Sequence, residues 1–254
     1  MAKLLKIKDK ILLGLAVLGD LSFQVAEPLS IQIKKIYQIL PQDYKITNFY
    51  GALNRLYKTN DIEKIIKRGK PYIRLTGQGR HKLTRDFPLL AMQQKPWDDL
   101  WRVVIFDIPE KYHYVRDLLR NKLASLGFGK LQRSVYITPF DVAQDLREFL
   151  AAKNLSGYVL VMVSKEVFTG NLLGLTSWVW QLDKINQAYQ KIHDNWLWAK
   201  TRFEPKNLRG IAKSCYRDYI EVISQDPFLP KELLSTDWLG FEAKGLVKEW
   251  IKYL

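Results

Sequence analysis

Thr47, Asn48, Gly51, Asn54, Arg55 and Lys58 share one face of a helical pattern running from Ile46 to about Lys58. Ile46, Phe49, Leu53 and Leu56 occupy the other face. Amides, a hydroxyl and a guanidinium at that spacing are groups that read base edges, and a helix is narrow enough to carry them into the major groove of B-DNA. Two short segments follow, Ile62–Lys67 and Pro71–Thr76, flanking Arg68-Gly69-Lys70, which reads as a β-hairpin turn. Lys64, Lys67, Arg68, Lys70 and Arg74 on that hairpin suit phosphates, whose contacts give affinity without sequence information. Arg80, Lys82 and Arg85 extend the run: Ile62–Arg85 holds eight basic residues against one acidic residue, Glu63.

Little else in the chain is dressed for chemistry. His81, His113 and His193 are isolated, with no i,i+4 pair and no H-x-E spacing, which argues against a histidine metal site or a nucleophilic triad. Cys215 stands alone, so no disulfide forms within the chain, and it sits on the apolar stripe of an expected helix as a small buried thiol. Asp107 closes an apolar strand. It could hold a divalent metal for phosphodiester hydrolysis if a second chain supplied a partner carboxylate, and the simpler role is bracing the turn beside Pro109. No catalytic residue and no cofactor is expected, and the chain is not read as an enzyme.

These groups must be placed by 254 residues, a length that fits two or three domains. Residues 1–96 carry 18 Lys plus Arg against 7 Asp plus Glu, whereas all eight tryptophans lie from Trp97 onward. A basic head on a nearly neutral, aromatic body suggests a polyanion partner. In the head, helices are expected from about Lys3 to Leu18, through Leu29, Ile33, Ile36 and Leu40, and over Ile46–Lys58, followed by the hairpin. Helix, helix, helix, hairpin is the chain order of a winged helix-turn-helix, assigned to residues 1–95. The N-terminal lysines before Ile11–Gly19 look superficially like a signal peptide, but Asp9 interrupts them and the run is too short to span a bilayer. A cytoplasmic protein with no membrane partner is expected.

Residues 97–170 read as βαβαβ, or βαββαβ if Phe128–Gln132 pairs separately. An apolar strand Trp101–Phe106 leads into a helix with Val115, Leu118, Leu119, Leu123 and Leu126 inward. A strand through Gln132–Thr138 follows, then a helix with Asp141 and Gln144 placed as a capping box, then strand Gly157–Ser164. An α+β ferredoxin-like sandwich is the expectation for this central domain. Residues 171–254 read as a mainly helical domain, with one long helix carrying Trp178, Leu182, Ile185, Tyr189, Ile192 and Trp196. A second helix carries Leu208, Ile211, Cys215, Tyr219 and Val222, and a last one Ala243, Leu246, Trp250 and Leu254.

The stretch WRVVIFDIPEKYHYVRDLLRNKLASLGFGKLQRSVYITPFD resembles the central domain of PaaX-type repressors of aromatic-acid catabolism, itself similar to the small nuclease subunit of the CRISPR adaptation complex. The C-terminal QDPFLPKELLSTDWLGFEA resembles the family's C-terminal signature. The resemblance implies a transcriptional repressor that binds double-stranded operator DNA as a homodimer through its central domain. It also implies release by an aromatic acyl-coenzyme A thioester, for which no binding residue is assigned. A metal-dependent nuclease built on Asp107 is the alternative.

Overall fold

The computed structural model describes residues 6–22, 33, 34, 36, 37, 40, 44–67, 70–87, 89, 96–166 and 170–253. The chain falls into two compact units, one made of Met1–Arg85, Ile185–Asp226 and Trp238–Leu254, the other of Asp86–Lys184 and Pro227–Asp237.

In the first unit, α1 (Ile7–Ser22) opens with the Lys6 main-chain N–H donating to Asp9 Oδ2 at 3.1 Å. This is the reverse half of a capping box, and it places a carboxylate in the electropositive first turn. Ile11, Leu12, Leu13 and Leu15 of α1 are buried. They pack toward α2 (Ile46–Lys58) and toward a hairpin of β1 (Ile62–Lys67) and β2 (Lys70–Leu75). Of the expected second helix, Ile33, Lys34, Ile36 and Tyr37 are helical and Ile36 and Leu40 are buried, while Leu29 lies outside the described residues.

α2 turns Phe49, Ala52, Leu53 and Leu56 inward. Ile46, expected beside them, is the first residue of the helix and is 50% exposed. The helix stops in a Schellman motif: Asn60 takes a left-handed φ of 53°, its N–H donates to Tyr57 O at 3.0 Å, and the Asp61 N–H donates to Leu56 O at 2.9 Å. Asparagine tolerates that conformation, so the chain reverses there into β1. The antiparallel register runs from Ile62↔Leu75 to Lys67↔Lys70. β2 thus begins one residue earlier than expected and releases Thr76 to cap α3 (Gly77–Asp86). Thr76 Oγ1 accepts from the Gly79 N–H at 3.0 Å and donates to Asn60 O at 2.5 Å. A Cβ on Gly79 would lie 1.9 Å from Asp61 O, so only glycine lets α3 approach this corner.

The second unit is built on a four-stranded antiparallel sheet of β3 (Trp101–Phe106), β4 (Gly129–Gln132), β5 (Val135–Thr138) and β6 (Val159–Ser164), in the order β4-β5-β3-β6. Helices α4 (His113–Ser125) and α5 (Ala143–Ala152) make the connections, giving βαββαβ. The single strand expected over Gln132–Thr138 is two strands, because the chain turns at Arg133-Ser134. The capping box at Asp141 does not form. Val142 precedes α5 without a side-chain cap, the Asp141 carboxylate lies 3.7 Å from the Arg102 guanidinium, and Gln144 bonds Glu148 instead.

Arg102 locks the entry to the sheet. It is 5% exposed, its Nη1 and Nη2 donate to Asp98 at 2.8 and 2.5 Å, and Nη1 also reaches Leu100 O and Pro139 O. The guanidinium hydrogen bond holds the Asp98 carboxyl below the usual carboxylate range. A folded-state pKa below the unfolded one contributes stability above the unfolded value, about 3.9 for aspartate. That contribution is lost as pH falls through the folded value. Asp98→Asn is therefore expected to lower the neutral plateau of the urea-unfolding midpoint modestly, the half-exposed carboxylate being screened by solvent, and to converge with the unsubstituted chain as pH falls below about 4.

α6 (Leu172–Trp180) packs on β4, where a Cβ on Gly129 would meet Val179 at 2.1 Å and Trp180 at 2.7 Å. Trp101 stacks on Trp180 with centroids 6.3 Å apart. The long helix expected through Trp178 and Trp196 is interrupted: Gln181 takes φ 55°, and α7 (Leu182–Arg202) restarts beyond it. The apolar phase does not carry across, so Trp178 is 63% exposed.

Back in the first unit, α7, α8 (Arg209–Ile223) and α9 (Gly240–Tyr253) surround an aromatic centre. Tyr189, Trp196, Tyr216, Tyr219 and Trp250 are each at most 2% exposed there. Cys215 is buried among them and burial pushes its thiol up to about 12, as expected of an inert packing residue. Lys10 of α1, 8% exposed, pairs with Glu221 of α8.

Candidate nucleic-acid interface

The exposed stripe of α2 is continuous. Thr47, Asn48, Asn54, Arg55 and Lys58 are all exposed and Gly51 is half-buried, so the polar groups face away from the core that Phe49, Leu53 and Leu56 fill. Tyr50, 46% exposed, lies between Thr47 and Asn54 on the same stripe. It was not singled out from sequence, where an aromatic reads as core. Its signal was position: three residues after Thr47 and four before Asn54.

On the hairpin, Lys64 is exposed and Arg74 is 43% exposed at its side chain. Arg74 Nε donates to Glu63 Oε1 at 2.7 Å across the ladder, a cross-strand ion pair that orients the guanidinium. Lys67 and Lys70 are register partners at the open end of the ladder, and Arg68 between them lies outside the described residues. Lys82, counted with the phosphate-facing run, is turned inward: its Nζ pairs with Asp61, whose side chain is fully buried and also accepts from Thr59 Oγ1 at 2.5 Å. A carboxylate buried that deeply takes the nearest cation. Arg80 stays exposed on α3.

Elsewhere, Asp107 is exposed at the end of β3, with its main-chain N–H donating to Tyr158 O at 3.0 Å. Among the described residues no group of three His, Cys, Asp or Glu side chains gathers to hold a metal ion. Among them also, no helix is long and apolar enough to cross a membrane.

Residues 94–172 match the PaaX protein central Cas2-like domain, and residues 180–254 match the PaaX-like protein C-terminal domain, together more than half of the chain. The chain belongs to the PaaX family. It is 24% identical over 209 residues to the transcriptional repressor PaaX of Escherichia coli (strain K12), a match covering 77% of this chain and 65% of that protein. Its fold resembles that of the uncharacterized protein Rv0674 from Mycobacterium tuberculosis, with a TM-score of 0.57 at 18% identity over 94% of this chain and 92% of the other.

The PaaX C-terminal signature has a structural job in this chain. Tyr189 donates its hydroxyl to Asp226 Oδ2 at 2.7 Å inside the first unit, and Trp238 stands edge-on to Tyr189 at 5.7 Å. The Leu239 N–H donates to Asn186 Oδ1 at 2.8 Å, and a Cβ on Gly240 would meet the Trp238 ring at 2.5 Å. Each end of the signature is thereby pinned to α7.

Proposed function

We propose that this PaaX-family chain is a DNA-binding transcriptional repressor that grips operator DNA as a homodimer and releases it when an aromatic acyl-coenzyme A-like effector binds. The observation that carries the reading is the two-sided α2. Its apolar face is spent on the core, while Thr47, Asn48, Asn54, Arg55 and Lys58 are exposed in one stripe beside a basic hairpin. That arrangement supports the winged helix-turn-helix reading of residues 1–95, with α2 in the major groove and Lys64, Lys67, Arg68, Lys70 and Arg74 on phosphates. The name of the Escherichia coli relative supports repression.

The strand order β4-β5-β3-β6 supports the ferredoxin-like reading of residues 97–170, and β6, an edge strand among the described residues, supports a dimer. Leu160, Met162 and Val163 of β6 are 56%, 39% and 57% exposed, and an uncharged apolar edge invites a paired copy. Two-fold symmetry then sets two α2 helices about 34 Å apart on successive turns of the duplex. Release requires the effector to bind the DNA-incompetent arrangement more tightly than the DNA-competent one. The protein works where its operator is, in the cytoplasm.

The division of labour gives a test by gel shift at two salt concentrations. Asn54→Ala and Arg55→Ala are expected to relax sequence preference by about 1–3 kcal/mol at the contacted positions. Lys64→Ala and Lys70→Ala are expected to weaken binding to all duplexes alike and lower the salt slope by about one each. Equal effects of both pairs on every duplex would overturn the assignment of α2 as the reading helix.

A further inference from the structure

We infer that the end of the four-stranded sheet where β3 stops binds a nucleotide, its base on Tyr112 and Tyr158 and its phosphates on Arg116 and Arg133. The class of ligand rests on the effector reading above, since every acyl-coenzyme A carries a phosphorylated nucleotide. Backbone hydrogen bonds gather three turns at this place. The Phe106 N–H donates to Ser134 O at 3.1 Å, which fixes the β4–β5 turn and its Arg133 beside the end of β3. The Asp107 N–H donates to Tyr158 O at 3.0 Å and holds the turn that precedes β6. Glu110–Tyr112 form the third turn, closed by the Tyr112 N–H donating to Pro109 O at 2.9 Å.

Two kinds of recognition meet on these turns. Tyr112 and Tyr158 are 41% and 39% exposed, with ring centroids 6.3 Å apart and planes tilted by 57°. Lys111 Nζ stands 4.9 Å from the Tyr112 centroid. Paired aromatic rings in water beside an ammonium are a stacking surface for any base. Next to them Glu110 sits among cations. Arg116 Nη1 and Nη2 donate to its two oxygens at 2.6 and 3.1 Å. That hydrogen bonding holds the Glu110 carboxyl below the usual carboxylate range, and His113 and Arg133 are close enough to act in the same direction.

The Glu110 side chain is 79% exposed and that of Arg116 only 15%, so the carboxylate lies on the solvent side of the guanidinium. Arg116 Nε is buried and has no hydrogen-bond partner, so Glu110 alone does not saturate this arginine. An arginine fork takes a phosphate as it takes a carboxylate. Glu110 is therefore an internal anion that a ligand phosphate displaces.

The test is calorimetric titration of the full chain with ADP, coenzyme A, adenosine and inorganic diphosphate. ADP and coenzyme A should bind with a Kd below about 1 mM. Adenosine and diphosphate should each bind at least about tenfold more weakly than ADP, because each lacks half of the recognition. Tyr112→Ala should weaken ADP binding about tenfold, the size of one lost stacking contact, and Tyr112→Phe should keep it. Glu110→Gln should bind ADP about fivefold more tightly, the worth of removing one like charge at contact distance in water. The thermal midpoint of Tyr112→Ala should match that of the unsubstituted chain, since the ring is exposed.

Equal affinity for ADP and inorganic diphosphate would overturn the inference, as would unchanged ADP binding in Tyr112→Ala. Conversion to a monomer by Tyr112→Ala, with ADP binding intact, would make the tyrosines a contact between copies. Single-stranded DNA that binds more tightly than ADP and is lost equally in Tyr112→Ala would make the surface a nucleic-acid contact instead. If coenzyme A binds here and leaves retention of duplex DNA unaltered, the effector reading falls while the site stands.

Discussion

Lys82→Ala is expected to lower stability by about 3 kcal/mol, far more than an exposed ion pair accounts for. The Lys82 side chain is 21% exposed but its partner Asp61 is fully buried. Asp61 Oδ1 has no hydrogen-bond partner, so removing the ammonium leaves only the Thr59 hydroxyl to hold the carboxylate. A surface pair would be worth about 1 kcal/mol or less, which makes the size of the effect the discriminating quantity. The loss would be felt where α2, β1 and α3 meet, since the Thr76 N–H donates to Asp61 O at 3.1 Å in the same corner. Urea unfolding, with hydrogen exchange at the Asp61 and Thr76 amides, measures it. The double substitution Asp61→Asn with Lys82→Met should recover part of the loss. A cost below about 1 kcal/mol for Lys82→Ala would show that Asp61 is reached by water.

Trp196→Ala is expected to cost about 3–5 kcal/mol, the range for deleting a buried aromatic ring. Trp196 is fully buried, stands edge-on to Trp250 at 6.4 Å, and donates from Nε1 to Glu249 Oε2 at 3.0 Å. Lys200 Nζ holds the other oxygen of Glu249 at 2.7 Å, so the truncation also loosens a charged pair on α9. Trp198 is the control. Two residues further on, it is 48% exposed with Arg202 over its ring at 5.1 Å, and Trp198→Ala should stay within about 0.5–1 kcal/mol. Equal losses at the two positions by urea unfolding would contradict the placement of the aromatic centre.

What could be read from the chain divides by range of interaction. The faces of α2 were legible because burial there follows a helical period: Phe49, Leu53 and Leu56 went inward and Asn54 and Arg55 outward as their spacing requires. The hairpin was legible because Arg68-Gly69 separates two β-rich runs. Lys82 was misjudged because its partner lies 21 residues earlier, and nothing local marks Asp61 as buried. Asp141 was misjudged for the same reason, since Arg102 draws it away from the helix end it was expected to cap.

Trp178 failed differently. A left-handed glutamine has no propensity signature, so the restart at Gln181 was invisible and the apolar phase was carried one helix too far. Tyr50 shows the reverse error, an aromatic ignored on a polar stripe. In the candidate interface, then, the exposure of residues on periodic elements was legible, whereas long-range pairing decided which cations turned inward.

The most direct measurement places a photocrosslinking side chain at Asn54, at Lys64 and, as a control, at the exposed Lys206 of the same compact unit. All three positions face solvent, so the fold tolerates the insertion. With duplexes retained from a random pool, irradiation should attach DNA at positions 54 and 64 and not at 206. Crosslinking at 206 with none at 54 would contradict the account, because the stripe of α2 would then be facing solvent while DNA lay elsewhere.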